Sequence, residues 1–576
     1  MRYFVDLDMD YMFVVFAFYM YCFFSNCQEF KYKTILSKDK ILKWNVDYEK
    51  EIVVFRVEGK LRVDEWLAFG FSNYGETSNA DLVLYWRDYF GKTHFKDAHT
   101  NSKGTVLTDK YQNYLRTRDR IVKDDWFFVE FIRKFDTCDA DDYRLDNGTT
   151  HVIFFTGFGF PRHIDSSLYK TGLQRVQILK PAIPDVTLPD DVITIDVKNP
   201  GITVPSTETT YWWYVTKLPD FKQKRHIIKY EGIIEEGHEH LVHHMEVFHC
   251  EVTKTELIPA YNGPGMAEGK PPGLSACRKV IGAWAMGASP MTLPEDVGTP
   301  VGGSQWSIYV LLEVHYNNPN LFSGIKDSSG IRLYVTEKLR KFDSGIMELG
   351  LEYTNKMAIP PNQILFPLKG YCVPACTQVG LPQGGINIYA SQLHTHLTGK
   401  RVFTKHVRSG QELPELNRDN HYSPHFQEIR TLPQPVNILP GDSLITTCED
   451  STLDRDNITL GGFSIREEMC VNYVHYYPAV NLEVCKSSVD TKALETFFKF
   501  MNRRFNDNTS PEKGVAENYG SISWTQRASS LLSIFYDIAP LSMQCNQSDG
   551  SRFPGEWNGM AIPQITKPIK VNNDAC

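Results

Sequence analysis

Long apolar runs, a dominant charge sign and helical periodicity are all scarce in this chain of 576 residues. The longest apolar run, residues 11–24 (YMFVVFAFYMYCFF), is 14 residues long, short of the roughly 20 that a bilayer-spanning helix needs. No other stretch could cross a membrane. Lys and Arg number 61 against 69 Asp and Glu, a net charge of −8, so nothing electrostatic recruits a nucleic acid. Twelve cysteines are too few for a disulfide-held miniprotein. The absence of any fixed-period repeat or low-complexity tract sets aside solenoids and fibrous folds. Helical periodicity is confined to about Ala493–Arg503.

What is abundant is β signal. Aromatics reach 13%, and short alternating or β-branched runs recur at Ile52–Val57, Ala80–Trp86, Gln174–Leu179, Ile193–Val197, Ile308–His315, Ile331–Thr336, Ile386–Leu393 and Val471–Tyr477. Turn clusters such as Asn262-Gly263-Pro264-Gly265 and Pro440-Gly441-Asp442 separate them. This pattern predicts an all-β chain of sandwiches or barrels. The expected divisions are a leader or anchor over 1–28, a β domain over 36–160, a linker over 161–206, histidine-rich blocks over 207–340 and 345–505, and a tail over 506–576. The linker's second half, 180–206, carries five prolines and reads as an extended connector.

The apolar run at 11–24 has the length of a signal-peptide core, with cleavage expected near Ser25–Gln28. An uncleaved anchor or a buried strand is the alternative. Glycosylation sequons at Asn147, Asn457, Asn508 and Asn546 agree with export, and an oxidising compartment would pair most of the cysteines.

Histidines concentrate the chemistry. Residues 238–250 read HEHLVHHMEVFHC. A zinc-protease helix needs His-Glu-x-x-His, but Val242 stands four positions after His238, and Leu241 stands where His240 would need a glutamate, so that class is excluded. Adjacent His243 and His244 would point to opposite faces of a regular strand. Both can reach one ion only at a strand end, a bulge or a strong twist. His394 and His396, two apart in a strand-like run, share a face and can reach one ion; two solvated polar residues are the alternative on spacing alone. Glu313 and His315 share a strand face. Met469 is soft and would favour Cu(I) if it were a ligand, although methionine is more often core filler. His238, His240 and His249 are expected to be solvated surface residues.

These stretches together resemble one family. LVHHMEVFHC (241–250), LLEVHYNNP (311–319), DSSGIRLY (327–334), MELGLEYTNKMAIPP (347–361), SQLHTHLTGK (391–400), DNHYSPHFQEIR (419–430), EEMCVNYVHYYP (467–478) and FPGEWN (553–558) are similar to the copper type II, ascorbate-dependent monooxygenases, in the branch that hydroxylates dopamine and tyramine. The resemblance runs from about 40 to 560. It implies two copper-binding antiparallel, jelly-roll-like β-sandwich domains. The electron-supplying copper would sit on His243, His244 and His315, and the copper that meets O₂ on His394, His396 and Met469. Tyr211 and His394 would be catalytic. The implied reaction hydroxylates the benzylic carbon of a phenylethylamine, tyramine to octopamine or dopamine to noradrenaline, with L-ascorbate supplying two electrons. Glu348 and Tyr476 are candidates for holding the amine. Peptide α-hydroxylation and an orphan copper-binding paralogue are the alternatives.

The N-terminal part resembles a DOMON-type β-sandwich through FGFSNYGETSNADLVLYW (69–86) and CDADDYRLDNGTTH (138–151). Its calcium loop would fall on Asp81, Leu82 and Ala98, with Asn113 in place of a carboxylate. The resemblance also implies disulfides Cys250–Cys277, Cys372–Cys485, Cys448–Cys470 and Cys138–Cys545, and leaves Cys376 without its expected partner. The segment FNDNTSPEKG (505–514) has no cysteine, so a homodimer would be non-covalent. The location implied is the secretory vesicle, lumenal or held at the membrane by the N-terminal apolar segment, and partly secreted.

Overall fold

The computed structural model describes residues 29–121, 125–159, 170–181, 186–253, 256–286, 288–304 and 306–570. The leader and its cleavage region lie outside these. The described chain forms two compact units, one of residues up to 174 without 147–149, the other of 147–149 and the remainder.

The first unit is a sandwich. Its five-stranded sheet runs in the order Tyr32–Ser37, Lys40–Asp47, Ile52–Lys60, Trp126–Lys134, Leu115–Ile121. The six-stranded sheet runs Lys170–Val176, Thr150–Phe158, Glu65–Ser72, Asp81–Arg87, Thr93–Thr100, Val106–Thr108. Alternation sends Phe55, Phe69, Phe71 and Phe131 inward, where they are fully buried with ring centroids 5.4–6.3 Å apart. Each such side chain contributes about 1.5–3 kcal/mol by leaving water, which is what the aromatic content supplies.

The second unit holds two further pairs of sheets. In the first pair, Asn262–Pro264, Thr209–Lys217, Tyr309–Asn317, Val242–Cys250 and Cys277–Ala285 form one sheet; Ile193–Lys198, Gly330–Thr336, Lys224–Ile233, Val297–Gly302 and Phe342–Asp343 form the other. In the second pair, the order is Arg430–Ile438, Ile386–Thr395, Cys470–Tyr477, Gly345–Leu351, Leu482–Val489, Leu541–Gln547, opposite a sheet of Phe366–Cys372, Asp442–Asp450, Gly399–Arg408 and Gln411–Asp419. Antiparallel pairing dominates; Gly345–Leu351 runs parallel to Leu482–Val489.

Several expectations change. The proline-rich connector is not free chain: Ile193–Lys198 pairs along Gly330–Thr336, and Ile202–Thr203 with Lys326–Asp327. The tail is not an appendage, since Leu541–Gln547 extends a sheet of the second sandwich pair and the helix Gln526–Ile538 precedes it. The helix expected at 493–503 runs Thr491–Phe505. Asp490 caps it by accepting from Lys492 and Ala493 N–H, and Leu494, Phe497, Phe498 and Met501 form its buried stripe.

Three expected disulfides are present, Cys250–Cys277, Cys372–Cys485 and Cys448–Cys470. Cys138–Cys545 is not. Cys545 closes on Cys376 instead, because pairing of Leu541–Gln547 with the edge of the sheet carries Cys545 there. Cys138 is itself disulfide-bonded, to a residue other than Cys545. Asn147, Asn457 and Asn508 are exposed, whereas Asn546 is half-buried in that terminal strand.

Candidate metal centre

The strand Val242–Cys250 lies beside Tyr309–Asn317, with Val242 opposite Tyr316 and His244 opposite His315. The register slips between Val242 and His244, so His243 is the extra residue of a bulge. The bulge re-aims one of two adjacent imidazoles. His243 Nδ1 lies 3.2 Å, and His315 Nδ1 3.3 Å, from His244 Nδ1. Tyr211, opposite His315 on the next strand, stacks on it with centroids 4.4 Å apart and planes 12° apart.

Burial first, and neighbouring positive charge second, push the His243 pKa to about 4 and that of His315 to about 3; His244 is also held well below its ordinary value. All three rings are therefore neutral at physiological pH. Their Nδ1 atoms converge with no carboxylate among them, while the buried Nε2 atoms of His243 and His315 have no hydrogen-bond partner among the described residues. Neutral imidazole nitrogens gathered in this way suit a borderline or soft metal ion.

The second histidine pair is arranged by the opposite nitrogen. His394 Nδ1 lies 2.5 Å from Gln427 Oε1, and His396 Nδ1 3.0 Å from the Glu467 carbonyl oxygen. Both partners accept, so each Nδ1 carries the hydrogen and each Nε2 keeps its lone pair for a metal. Burial and His396 lower the His394 pKa to about 4. In the strand pairing His394 faces Val471 and Thr395 faces Cys470. His396 and Met469 are the residues just beyond that last pair. Met469 is buried.

Glu468 fixes this junction. Its fully buried carboxylate accepts the His396 N–H through Oε1, together with the Met469 N–H at 2.8 Å. Through Oε2 it accepts Thr398 N–H at 2.9 Å and the Thr398 hydroxyl at 2.5 Å. The Cys448–Cys470 bridge holds the other side of Met469.

Both histidine sets line one cavity of about 620 Å³, with Tyr211, Glu246, Gln392, His425 and Tyr473. Glu246 shares the face of His244 and lies opposite Glu313. Burial and then Glu313 raise its pKa to about 8. Burial, followed by nearby Glu313 and Glu246, pushes the Tyr211 hydroxyl up to about 12, so it stays protonated.

Some expected roles do not fit their surroundings. Neither Glu348 nor Tyr476 lines this cavity: Glu348 accepts from Lys486 Nζ at 2.5 Å, and Tyr476, a buried residue, donates its hydroxyl to the Val480 and Leu482 carbonyls. His249 is buried rather than solvated and contacts the Ser307 carbonyl at 2.7 Å, and His238 is half-buried against Asp327 at 2.8 Å. Glu246, Gln427 and Glu468 were missed. Gln427 and Glu468 lie inside quoted motifs, but nothing in their spacing announces a partner.

At the expected calcium loop, Asp81 Oδ2 accepts from the Tyr114 hydroxyl, Arg133 and Tyr143 N–H. Its Oδ1 is buried and lacks a hydrogen-bond partner among the described residues. Leu82 and Ala98 are core residues and can offer only main-chain oxygens. Asn113 spends its side-chain amide on Asp142 at 2.9 Å and its N–H on Asp97 at 2.5 Å, so it acts as a donor. Asp97 and Asp142 join Asp81 as carboxylates close enough to share an ion.

Family models match three segments: a DOMON domain over 36–157, and the N-terminal and C-terminal domains of the copper type II ascorbate-dependent monooxygenases over 195–323 and 342–498. The chain is 47% identical to dopamine beta-hydroxylase of Bos taurus, over 93% of this chain and 88% of that one. It is 36% identical to tyramine beta-hydroxylase of Caenorhabditis briggsae, over 92% and 91%. Against DBH-like monooxygenase protein 1 of Homo sapiens, identity is 30% over 91% and 87%.

Proposed function

The chain belongs to the copper type II, ascorbate-dependent monooxygenases, and from that premise we propose that it hydroxylates the benzylic carbon of a phenylethylamine, tyramine or dopamine, with O₂ and two electrons from ascorbate. The observation that carries this reading is the pair of histidine sets lining one cavity, one converging through Nδ1 and the other with Nδ1 held by oxygen acceptors. His243, His244 and His315 would hold one copper; His394, His396 and Met469 would hold the other. When bound, the coppers supply one-electron transfer at the first site and activation of O₂ at the second, where a thioether favours Cu(I).

The protein's own side chains do the rest. Tyr211 buttresses His315 by stacking and keeps its hydroxyl proton. Gln427 fixes the tautomer of His394, and Glu468 fixes the backbone positions of His396 and Met469. Glu246, half-buried in the cavity wall, is held protonated near neutrality by burial and Glu313; a substrate ammonium beside it would draw that proton off and leave a carboxylate as its partner. On the face of His394 stands Gln392, a neutral amide, and Arg466 lies exposed at the rim. An acidic wall and a neutral floor favour an amine over a peptide carboxylate.

Four described disulfides fit the lumen of the secretory pathway, and a secretory vesicle is the compartment proposed. Among the described residues no helix is long and apolar enough to cross a membrane; attachment would use the N-terminal apolar segment. Calcium at Asp81, Leu82 and Ala98, and a non-covalent homodimer, complete the proposal. Turnover of tyramine, dopamine and a glycine-extended peptide, each with ascorbate and copper, tests it. Amine product supports the reading, peptide product moves the chain to the amidating branch, and no product with copper bound makes it an orphan paralogue.

A further inference from the structure

The N-terminal sandwich gathers a second set of metal-ligand atoms beside the carboxylates of Asp81, Asp97 and Asp142. His99 is the next-to-last residue of the strand Thr93–Thr100, Asp109 follows Val106–Thr108, and Asp141 lies in the loop after Cys138. Their ligand atoms all lie within 4.8 Å of one another. His99 Nδ1 contacts Asp109 Oδ1 and lies 4.0 Å from Asp141 Oδ2. The Asp109 side chain is 2% exposed, yet its Oδ2 has no hydrogen-bond partner among the described residues.

A neighbouring group points the same way. Asp97 is fully buried. Its Oδ2 accepts from Asn113 and Tyr114 N–H, while its Oδ1 is without a partner among the described residues. Asp97 and Asp109 thus each have one oxygen held by a donor and one that meets none, and the two carboxylates face each other. Leaving buried carboxylate oxygens bare costs free energy that a cation recovers.

We propose that His99, Asp109 and Asp141 bind a divalent first-row transition ion of zinc type in preference to calcium. Calcium takes oxygen ligands throughout; an imidazole among two carboxylates shifts preference toward zinc and its neighbours. The ion takes the place of the hydrogen between His99 Nδ1 and Asp109 Oδ1, which in a neutral ring moves to Nε2. Asp141, with a side chain 59% exposed, gives the ion its entry from water.

The test uses the full chain with its copper sites filled. Equilibrium dialysis against Zn²⁺, with metal content measured per chain, should find one zinc beyond copper. His99→Gln and Asp141→Asn should each weaken that zinc by at least about tenfold, the loss that follows even when an outer partner of a ligand is removed. Amine turnover should stay unchanged in both variants. Asp141→Asn changes an exposed side chain, so its folding is not at risk. Unchanged zinc affinity in both variants, or equal displacement of the zinc by equimolar Ca²⁺, would overturn the proposal.

Discussion

Gln427 reaches His394 across 2.5 Å from a loop 33 residues further along the chain. The same amide donates to the Thr395 carbonyl at 3.2 Å and the Pro424 carbonyl at 2.8 Å, so its orientation is fixed from three directions. Gln427→Leu should free the imidazole to choose the wrong tautomer and lower copper affinity at that site by about 10–100-fold. Copper titration monitored by metal content checks this, and the site of His243 should titrate as before. An unaltered affinity would remove Gln427 from the metal's support.

Met469→Ile keeps volume and removes the sulfur. It should abolish hydroxylation while the copper on His243, His244 and His315 remains reducible by ascorbate. Stopped-flow reduction beside product assay separates the two. Full activity would take Met469 out of the site.

Glu246→Gln tests amine recognition. A hydrogen bond to a charged group contributes about 1.5–3 kcal/mol, so kcat/KM for tyramine should fall by about 10–100-fold. The uncharged analogue with a hydroxyl in place of the ammonium should lose little. Equal losses for both substrates would mean that Glu246 serves the fold or the metal rather than the amine.

Asp419 and Arg430 form a buried pair 2.9 Å apart, with Thr149 donating both N–H and hydroxyl to the carboxylate. Burial works against the carboxylate, but Arg430 and Thr149 outweigh it and hold the Asp419 pKa below its ordinary value. A depressed folded-state pKa gives stability that is present above about pH 4 and is lost as pH falls through the folded value. Asp419→Asn should cost about 1–3 kcal/mol at neutral pH, because Arg430 loses the closer of its two buried carboxylates and keeps only Glu428 at 3.3 Å. It should also flatten the acid limb of stability; denaturant unfolding at pH 3 to 7 measures both.

The histidines were legible because their motifs are local. HHM and HTH place ligand atoms within two residues, and strand alternation settles which face they share. The adjacent pair called for a strand end, a bulge or a strong twist, and the register slips at His243. The supports were not legible. Gln427 and the Glu467 carbonyl reach their histidines from 33 and 71 residues away, distances that only strand topology closes. The Cys376–Cys545 bridge spans 169 residues, and cysteine connectivity does not follow from spacing. Pairing of Leu541–Gln547 with Leu482–Val489 decided it, and that pairing was hidden in a segment read as a tail. Asn113 was read by its oxygen, whereas its amide hydrogens do the work.

Copper content per chain, with amine turnover on the same sample, tests the two-cage account most directly. Two coppers are predicted in the native protein, one in the double variant His243→Ala/His244→Ala, one in His394→Ala/His396→Ala, and turnover in neither variant. A native protein that takes up no copper, or paired variants that both keep two, would contradict it.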